Sequence, residues 1–194
     1  MPKFKFRPSQ CDALHLDVWF KGQNLLRDGG TYSYNSTVED LNYFSGVASH
    51  NTVEFDQHQQ MPRLSRFLFG AWLTPKELTY NANEFGCGYQ DYWGCTHRRK
   101  ISLTDNAIKI ADNISGFQQQ AVLRWRLQPD HWTLENNVLS NGKVEIILEA
   151  EHPITLRWSE GEESRYYYQK SKVPVLEVIA TQATTIFTVI KDLT

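Results

Sequence analysis

Alternation of apolar and polar residues is the main pattern in the chain. Between residues 14 and 20 the apolar side chains fall at every second position, as on one face of a strand. Residues 21–24 form a turn signal, and Leu25-Leu26 opens a second short strand that stops at Asp28-Gly29-Gly30. The pattern predicts a hairpin that carries a carboxylate at its far end.

Most of the remaining chain divides into short apolar, β-branched segments separated by turn residues. Asn141-Gly142, between two apolar pairs, is the clearest hairpin signal. Residues 35–46 are predicted to be a long loop, residues 84–96 fit a loop or an irregular crossing, and residues 61–70 fit either a helix or a buried strand. The predicted strands lie at residues 3–7, 51–55, 71–82, 98–103, 107–114, 120–127, 133–140, 144–151, 155–159, 173–180 and 184–190.

No segment of twelve or more residues keeps the apolar stripe of an amphipathic helix. Many short strands with turns between them favour an all-β fold, here an antiparallel two-sheet β-sandwich. With no linker, repeat or low-complexity tract, residues 1–194 are predicted to form a single domain.

Charge and hydropathy exclude some partners. A net charge of −2 argues against nucleic acid, which usually requires a basic face. No apolar run approaches the length of a membrane span, and residues 1–5 lack the apolar segment of a signal peptide. The compartment stays open: a cytoplasmic protein and a fragment of a longer exported chain both fit.

Aromatic residues make up 13% of the chain, with six Trp and nine Tyr. Aromatic rings stack on the faces of sugars, so this share fits a carbohydrate-handling surface; an aromatic-rich β-sandwich core explains it equally well. The three cysteines form no CxxC pair. Free thiols are favoured over a bridge between Cys87 and Cys95.

Polar residues gather where the first predicted strands end. Asp28 closes the first hairpin and His50 directly precedes the next strand, so we expect the two side chains to lie in contact. Asp12 and His15 belong to the same region. His15 and Asp17, two residues apart, fit either a further polar cluster or a surface ladder along a strand.

These motifs, in this order, resemble the C-terminal β-sandwich domain of the heparinase II/III-like polysaccharide lyases. The resemblance covers residues 12–60 and then continues only as a run of short strands. The family patterns are Asp-x-Leu before a strand, a glycine turn, Leu-Leu-x-Asp-x-Gly-Thr-Tyr, and His-Asn-Thr-Val-x-x-Asp followed by Gln. They are met here by Asp12-Ala13-Leu14, Gly22, residues 25–32, residues 50–53, Asp56, and Gln59 or Gln60.

The resemblance implies a divalent metal, zinc or a similar ion, held by a His, an Asp and a second His. Asp28 and His50 match the last two ligands. The first belongs to a His-x-His-x-Asp pattern that is Pro8-Ser9-Gln10-Cys11-Asp12 in this chain, so both histidines are missing. Gln10 could supply an amide oxygen, which would weaken the site. A hydrogen-bonded Asp28–His50 pair without any metal is the alternative.

The resemblance also implies β-elimination at a uronic acid. A base removes the C5 proton, a neutralising group stabilises the carboxylate, and an acid protonates the leaving oxygen. In the family most of these groups come from an N-terminal α/α-toroid domain, which these 194 residues do not contain. The His that the sandwich would add is replaced by Pro8, so no catalytic residue is assigned and catalytic competence stays open.

Tyr34, Tyr43 and Arg98 are the candidate substrate-binding residues. Tyr34 lies at the far end of the first predicted hairpin, Tyr43 in the predicted loop 35–46, and Arg98 in the basic group at residues 97–100. Residues 165–170 combine one arginine, three tyrosines and a lysine, and fit either a sugar groove or a sheet edge.

The expected function is that of the C-terminal domain of a polysaccharide lyase. The substrate would be an acidic, uronate-containing polysaccharide of the heparin, heparan or alginate type. The isolated domain is expected to be inactive without its toroid partner, and parent lyases of this kind are usually periplasmic or secreted. The alternative is a non-catalytic carbohydrate-binding or structural module.

Overall fold

The computed structural model describes residues 7–193, so most of the edge strand predicted at residues 3–7 lies outside the described part. One short helix, α1 (Val38–Phe44), and a 3-10 turn at Val47–Ser49 interrupt the strands. The strands are β1 (Val18–Phe20), β2 (Gln23–Leu26), β3 (Val53–Phe55), β4 (Arg63–Ser65), β5 (Leu68–Phe69), β6 (Lys76–Tyr80), β7 (Glu84–Gln90), β8 (Thr96–Thr104), β9 (Ala107–Ser115), β10 (Ala121–Arg126), β11 (Thr133–Glu135), β12 (Val138–Ser140), β13 (Val144–Ala150), β14 (Ile154–Glu163), β15 (Ser171–Ala180) and β16 (Thr184–Asp192).

Two sheets form the body of the molecule. The smaller has the strand order β14-β15-β10-β3, and the larger has the order β11-β12-β13-β16-β9-β8-β7-β6. Trp125 and Leu123 of β10 belong to the same buried cluster as Ile186 and Ile110 of the larger sheet. Each sheet therefore buries one face against the other, and the predicted antiparallel β-sandwich is confirmed.

Strand pairing places one loop beyond the end of the smaller sheet. β14 and β15 pair along their whole length, from Ile154 opposite Ala180 to Glu163 opposite Ser171. Residues 164–170 connect the two strands and project from this end. A bridge between Gly30 and Ser164 brings the segment after β2 beside that loop.

A buried ionic network fixes the irregular segment before β1. Arg99 of β8 pairs with Asp112 of β9 through Nε at 2.6 Å, and its Nη1 donates to the carbonyl oxygens of Leu14 and Asn51 at 2.6 and 2.8 Å. His97 also contacts Asp112, at 2.6 Å. Because Asp112 is fully buried, these partners are needed to compensate for its lost hydration.

The strand predicted across residues 14–20 is wrong for its first half. β1 begins only at Val18, and Leu14 has a φ of 59°, a left-handed conformation that a strand does not contain. His15 N–H donates to Asp12 O in a tight turn instead. The hydrogen bond from Arg99 to the Leu14 carbonyl holds this segment in the turn, although the alternation of apolar residues favours a strand.

The loop predicted at residues 84–96 is wrong for its first half, because residues 84–90 form β7, while residues 91–95 connect β7 to β8. A Cβ at Gly86 would lie 2.6 Å from Thr79 Oγ1, so the glycine allows β6 to approach β7 closely. The loop predicted at residues 35–46 contains α1, whose N-terminus is capped by the Thr37 hydroxyl.

Residues 133–140 form a hairpin, not the one strand predicted. Asn136 and Asn137, with φ of 48° and 63°, make the turn between β11 and β12. Two consecutive left-handed residues suit the twist of a tight hairpin, and asparagine tolerates that conformation.

Two further observations concern the cysteines and the length of the helix. All three cysteines are free and buried. Among residues 7–193, no helix has the length and apolar character needed to cross a membrane.

Candidate functional site

Three side chains meet at the base of the loops that leave the smaller sheet. Asp28 Oδ2 lies 3.1 Å from His50 Nδ1 and 3.3 Å from His15 Nε2. The expected contact between Asp28 and His50 is present, and His15 joins it to make a His–Asp–His triad. His50 has no exposed surface, whereas the Asp28 side chain is 34% exposed.

Asn51 holds the triad together from the next position along the chain. Its backbone N–H donates to His15 Nδ1 at 2.9 Å. Its side-chain amide donates to the carbonyl oxygens of Leu16 and Arg27 and accepts the N–H of Arg126 at 2.6 Å. A fully buried residue thus ties the segments of His15, Asp28 and His50 to β10. The sequence motif contained Asn51, but nothing in it indicated this function.

The triad strongly shifts the ionisation of two of its members. Burial lowers the pKa of His15 to about 4, although the charge of Asp28 opposes the shift. Burial raises the pKa of Asp28, but hydrogen bonds from His50 and the Gly30 amide outweigh it and lower that pKa to about 2. Asp28 is therefore a carboxylate, and His15 a neutral imidazole, near neutral pH.

Hydrogen positions decide whether the triad suits a metal. The three ligand atoms lie within 4.8 Å of one another, as a metal site requires. However, His15 Nδ1 accepts a backbone N–H, so the proton of the neutral ring sits on Nε2, which lies 3.3 Å from Asp28 Oδ2 without forming a hydrogen bond. That nitrogen has no lone pair for a cation. Only Asp28 and the unpartnered Nε2 of His50 remain as donors.

Gln10 does not complete the set. Its amide nitrogen donates to the carbonyl oxygens of Gly30 and Phe44, at 3.3 and 3.4 Å. A zinc centre needs three or four protein ligands, and this arrangement offers two. As placed, Asp28 and His50 are hydrogen-bonded with His15 beside them, and Gln10 does not complete the three-ligand metal centre expected from Asp28, His50 and Gln10.

A set of exposed tyrosines lies next to the triad, on the segment after Asp28 and on the loop between β14 and β15. Tyr32 stacks on Tyr168 with ring centroids 5.2 Å apart, and Tyr168 N–H donates to Tyr32 O. Tyr34, Tyr166, Tyr167 and Tyr168 are each 62–70% exposed. We call these four residues and Arg165 the tyrosine face.

An open groove of about 410 Å³ adjoins this face through Arg165. Trp19, 64% exposed, and the exposed Lys143 also line it. Within residues 7–193, neither Arg165 nor Lys143 forms an ion pair, whereas Arg27 in the same groove is paired with Glu163 at 2.7 Å. The groove therefore combines an aromatic surface with two unpaired cations, beside the carboxylate of Asp130.

The predicted substrate-binding residues lie in three different places. Tyr34 belongs to the tyrosine face. The Tyr43 hydroxyl accepts N–H groups from Glu162 and Arg126, at 2.7 and 3.0 Å, and so braces α1 against β14. Arg98 lies on β8 of the larger sheet and pairs with Glu77 at 2.7 Å. None of the three lines the groove, which Arg165, Lys143 and Trp19 enter from segments that the motifs did not connect.

A family model described as heparinase II/III-like, C-terminal, matches residues 2–186. The chain belongs to this family. A curated heparin-sulfate lyase from Bacteroides stercoris is 26% identical over 122 residues, which cover 58% of this chain and 17% of that protein.

Solved structures share the fold over almost the whole chain. A heparinase III structure superposes with a TM-score of 0.77 at 19% identity, covering 95% of this chain and 30% of its own. The heparan sulfate lyase HepC from Pedobacter heparinus gives 0.73 at 17% identity, covering 94% and 31%. The chain thus corresponds to less than a third of these longer relatives, as their C-terminal domain.

Proposed function

We propose that this domain forms the glycan-facing C-terminal part of a lyase that cleaves a uronate-containing polysaccharide by β-elimination. The family match carries the proposal, and relatives named for heparin and heparan sulfate make a sulfated glycosaminoglycan the first substrate to consider. The expected partner in catalysis is an N-terminal α/α-toroid domain.

The groove offers the groups that such a substrate needs. The guanidinium of Arg165 can take a carboxylate or sulfate in a paired hydrogen bond, and Lys143 adds a second charge. The tyrosine face and Trp19 present flat rings for stacking against sugars. A net charge of −2 does not oppose this, because local positive charge governs the contact.

The catalytic set is incomplete in this chain. A base for the C5 proton must reach the sugar, yet His50 is fully buried and the Tyr43 hydroxyl is occupied by internal hydrogen bonds. His15 is held by Asn51 and Asp28. The isolated domain is therefore proposed to bind substrate without turning it over.

A non-catalytic carbohydrate-binding or structural module is the second candidate. The triad favours it, because a buried, hydrogen-bonded cluster is suited to bracing the loops of the groove rather than to proton transfer.

An elimination assay tests the proposal. The chain is mixed with heparan sulfate, alginate, hyaluronan or chondroitin, and the absorbance of newly formed unsaturated uronates is followed. We expect no turnover by the chain alone, and turnover when a family toroid domain is supplied on the same chain. Turnover by the chain alone would contradict the proposal that its catalytic set is incomplete. An inactive two-domain protein would favour the non-catalytic module.

A further inference from the structure

A second cluster of potential ligands lies at the other end of β3 from the triad. It contains Asp56, His58 and Cys95, whose donor atoms lie within 4.8 Å of one another. Cys95 Sγ is 3.9 Å from His58 Nε2. Sulfur and nitrogen ligands on one tetrahedral zinc ion, at 2.3 and about 2.1 Å, stand roughly 3.6 Å apart, so the observed spacing is close to that of a bound pair.

A tight turn after β3 orients two of these residues. Asp56 and Gln57 have φ of 46° and 61°, and His58 N–H donates to Phe55 O at 2.9 Å. His58 Nδ1 lies 3.1 Å from Gln59 O, which places the ring proton on Nδ1. Nε2 then keeps its lone pair and points at Cys95. A backbone carbonyl that fixes the tautomer in this way is typical of metal-binding histidines.

Asp56 is fixed by the loop before β10. Its carboxylate accepts the N–H groups of residues 118, 119 and 120 at 2.7–3.0 Å, two on Oδ1 and one on Oδ2. A carboxylate has about four acceptor positions, so one remains available on Oδ2. Asp56 thus keeps a free acceptor position for a cation, whereas the neutral imidazole of His15 in the triad has no free lone pair.

Cys95 is supplied by the loop between β7 and β8. Asp91 Oδ1 accepts the N–H groups of Trp93 and Cys95, and Asp91 Oδ2 is buried without a hydrogen-bond partner. Trp93 stacks on the His58 ring with centroids 4.1 Å apart. The cluster thus has a buried thiol at its base, a packed imidazole at its side and an unsatisfied carboxylate oxygen nearby.

We propose that Asp56, His58 and Cys95 bind a thiophilic divalent cation of the zinc class, with water as the fourth ligand. Binding replaces the S–H bond of Cys95 with a metal–sulfur bond and releases one proton to solvent. Burial, together with the charges of Asp91 and Asp56, raises the pKa of the free thiol to about 12. The same negative charges attract a cation, and the metal supplies the charge that stabilises the thiolate.

Cobalt(II) is the probe, because a thiolate–cobalt bond gives a charge-transfer absorption in the near ultraviolet. The whole reduced chain is titrated with cobalt and then with zinc. We expect one equivalent of cobalt to produce the band and zinc to abolish it. The triad contains no sulfur, so it cannot produce this signal. A wild-type chain without the band would refute the site.

Two variants test Cys95 and His58 as ligands, and a third is the control. Cys95→Ser should remove the band, and the matched control Cys87→Ser, also a buried thiol, should keep it. His58→Gln, at a partly exposed position, should weaken cobalt binding at least tenfold while circular dichroism stays unchanged. A band that survives Cys95→Ser, or cobalt affinity unchanged by His58→Gln, would contradict the proposal.

Discussion

His15 is a neutral base held inside the fold. Burial lowers its pKa from 6.5 to about 4, so the folded protein takes up this proton much less readily than the unfolded chain does. Stability from His15 is therefore fully present above pH 6.5 and is lost as the pH falls towards 4.

Replacing His15 should reduce this sensitivity to acid. Between pH 7 and pH 4, His15→Gln should remove on the order of 2–3 kcal/mol of the pH-dependent loss in the free energy of unfolding. Urea unfolding across this range, in the presence of a chelator, measures it. The exposed His131→Gln is the control and should leave the wild-type profile unchanged. The same slope in His15→Gln and wild type would contradict the assigned protonation.

Asn51 should be among the most sensitive residues near the triad. Asn51→Ala leaves the carbonyl oxygens of Leu16 and Arg27 and the N–H of Arg126 without this partner, in a fully buried position. A loss on the order of 3 kcal/mol in the free energy of unfolding is expected. The exposed Asn113→Ala, which loses one bond to Thr185, should cost less than about 0.5 kcal/mol. Equal losses would show that the buried bonds are not what stabilises this region.

The sequence predicted the Asp28–His50 contact because the two residues lie at the ends of short strands, in two motifs of one family pattern. It did not predict the protonation of His15, which depends on the N–H of Asn51 and on the left-handed turn at Leu14. The expected metal stays a prediction for the same reason: the sequence shows which ligand types are present, but not which ring nitrogen carries the hydrogen.

Two loops of the tyrosine face are joined by backbone contact. Gly30 leaves no room for a side chain at this bridge, because a Cβ here would lie 2.3 Å from Ser164 O, and its φ is 78°. The glycine thus allows the segment after Asp28 to pass directly beside the β14–β15 loop.

Gly30→Ala should separate these loops. The left-handed conformation alone costs about 1–2 kcal/mol, and Gly22→Ala, with a φ of 77° and open space around its Cβ, measures that cost by itself. Gly30→Ala should be destabilising by a further 1–3 kcal/mol because of the clash with Ser164. Thermal unfolding compares the two. Equal losses in both variants would mean that the bridge is not tightly packed.

Strands with strict alternation were predicted well, and glycine-rich or very short elements were not. β8, β9, β10, β13, β15 and β16 all lie where the apolar pattern indicated. β7 was missed because Gly86 and Gly88 are poor strand formers that this sheet uses for close approach. The helix α1 was missed because it has only seven residues, too few to show a helical period.

The groove forms only when segments that are distant in sequence meet in the folded molecule. Trp19, Lys143 and Arg165 are far apart in sequence, and none belongs to a motif shared with the other two. The fold brings them together through the β1–β2 hairpin, the β12–β13 turn and the β14–β15 loop. Sequence alone identified the tyrosine-rich residues 165–170 as a candidate but gave no means of joining them to the other segments.

Binding of a sulfated glycosaminoglycan to the groove is the central claim, and calorimetric titration with heparan sulfate oligosaccharides tests it most directly. We expect the wild-type chain to bind and Arg165→Ala to weaken binding about tenfold, because one charged hydrogen-bonding contact is lost. Lys172→Ala, which removes an exposed charge already paired with Glu160, should bind as the wild type does. Absence of wild-type binding, or equal weakening by the two variants, would contradict the account.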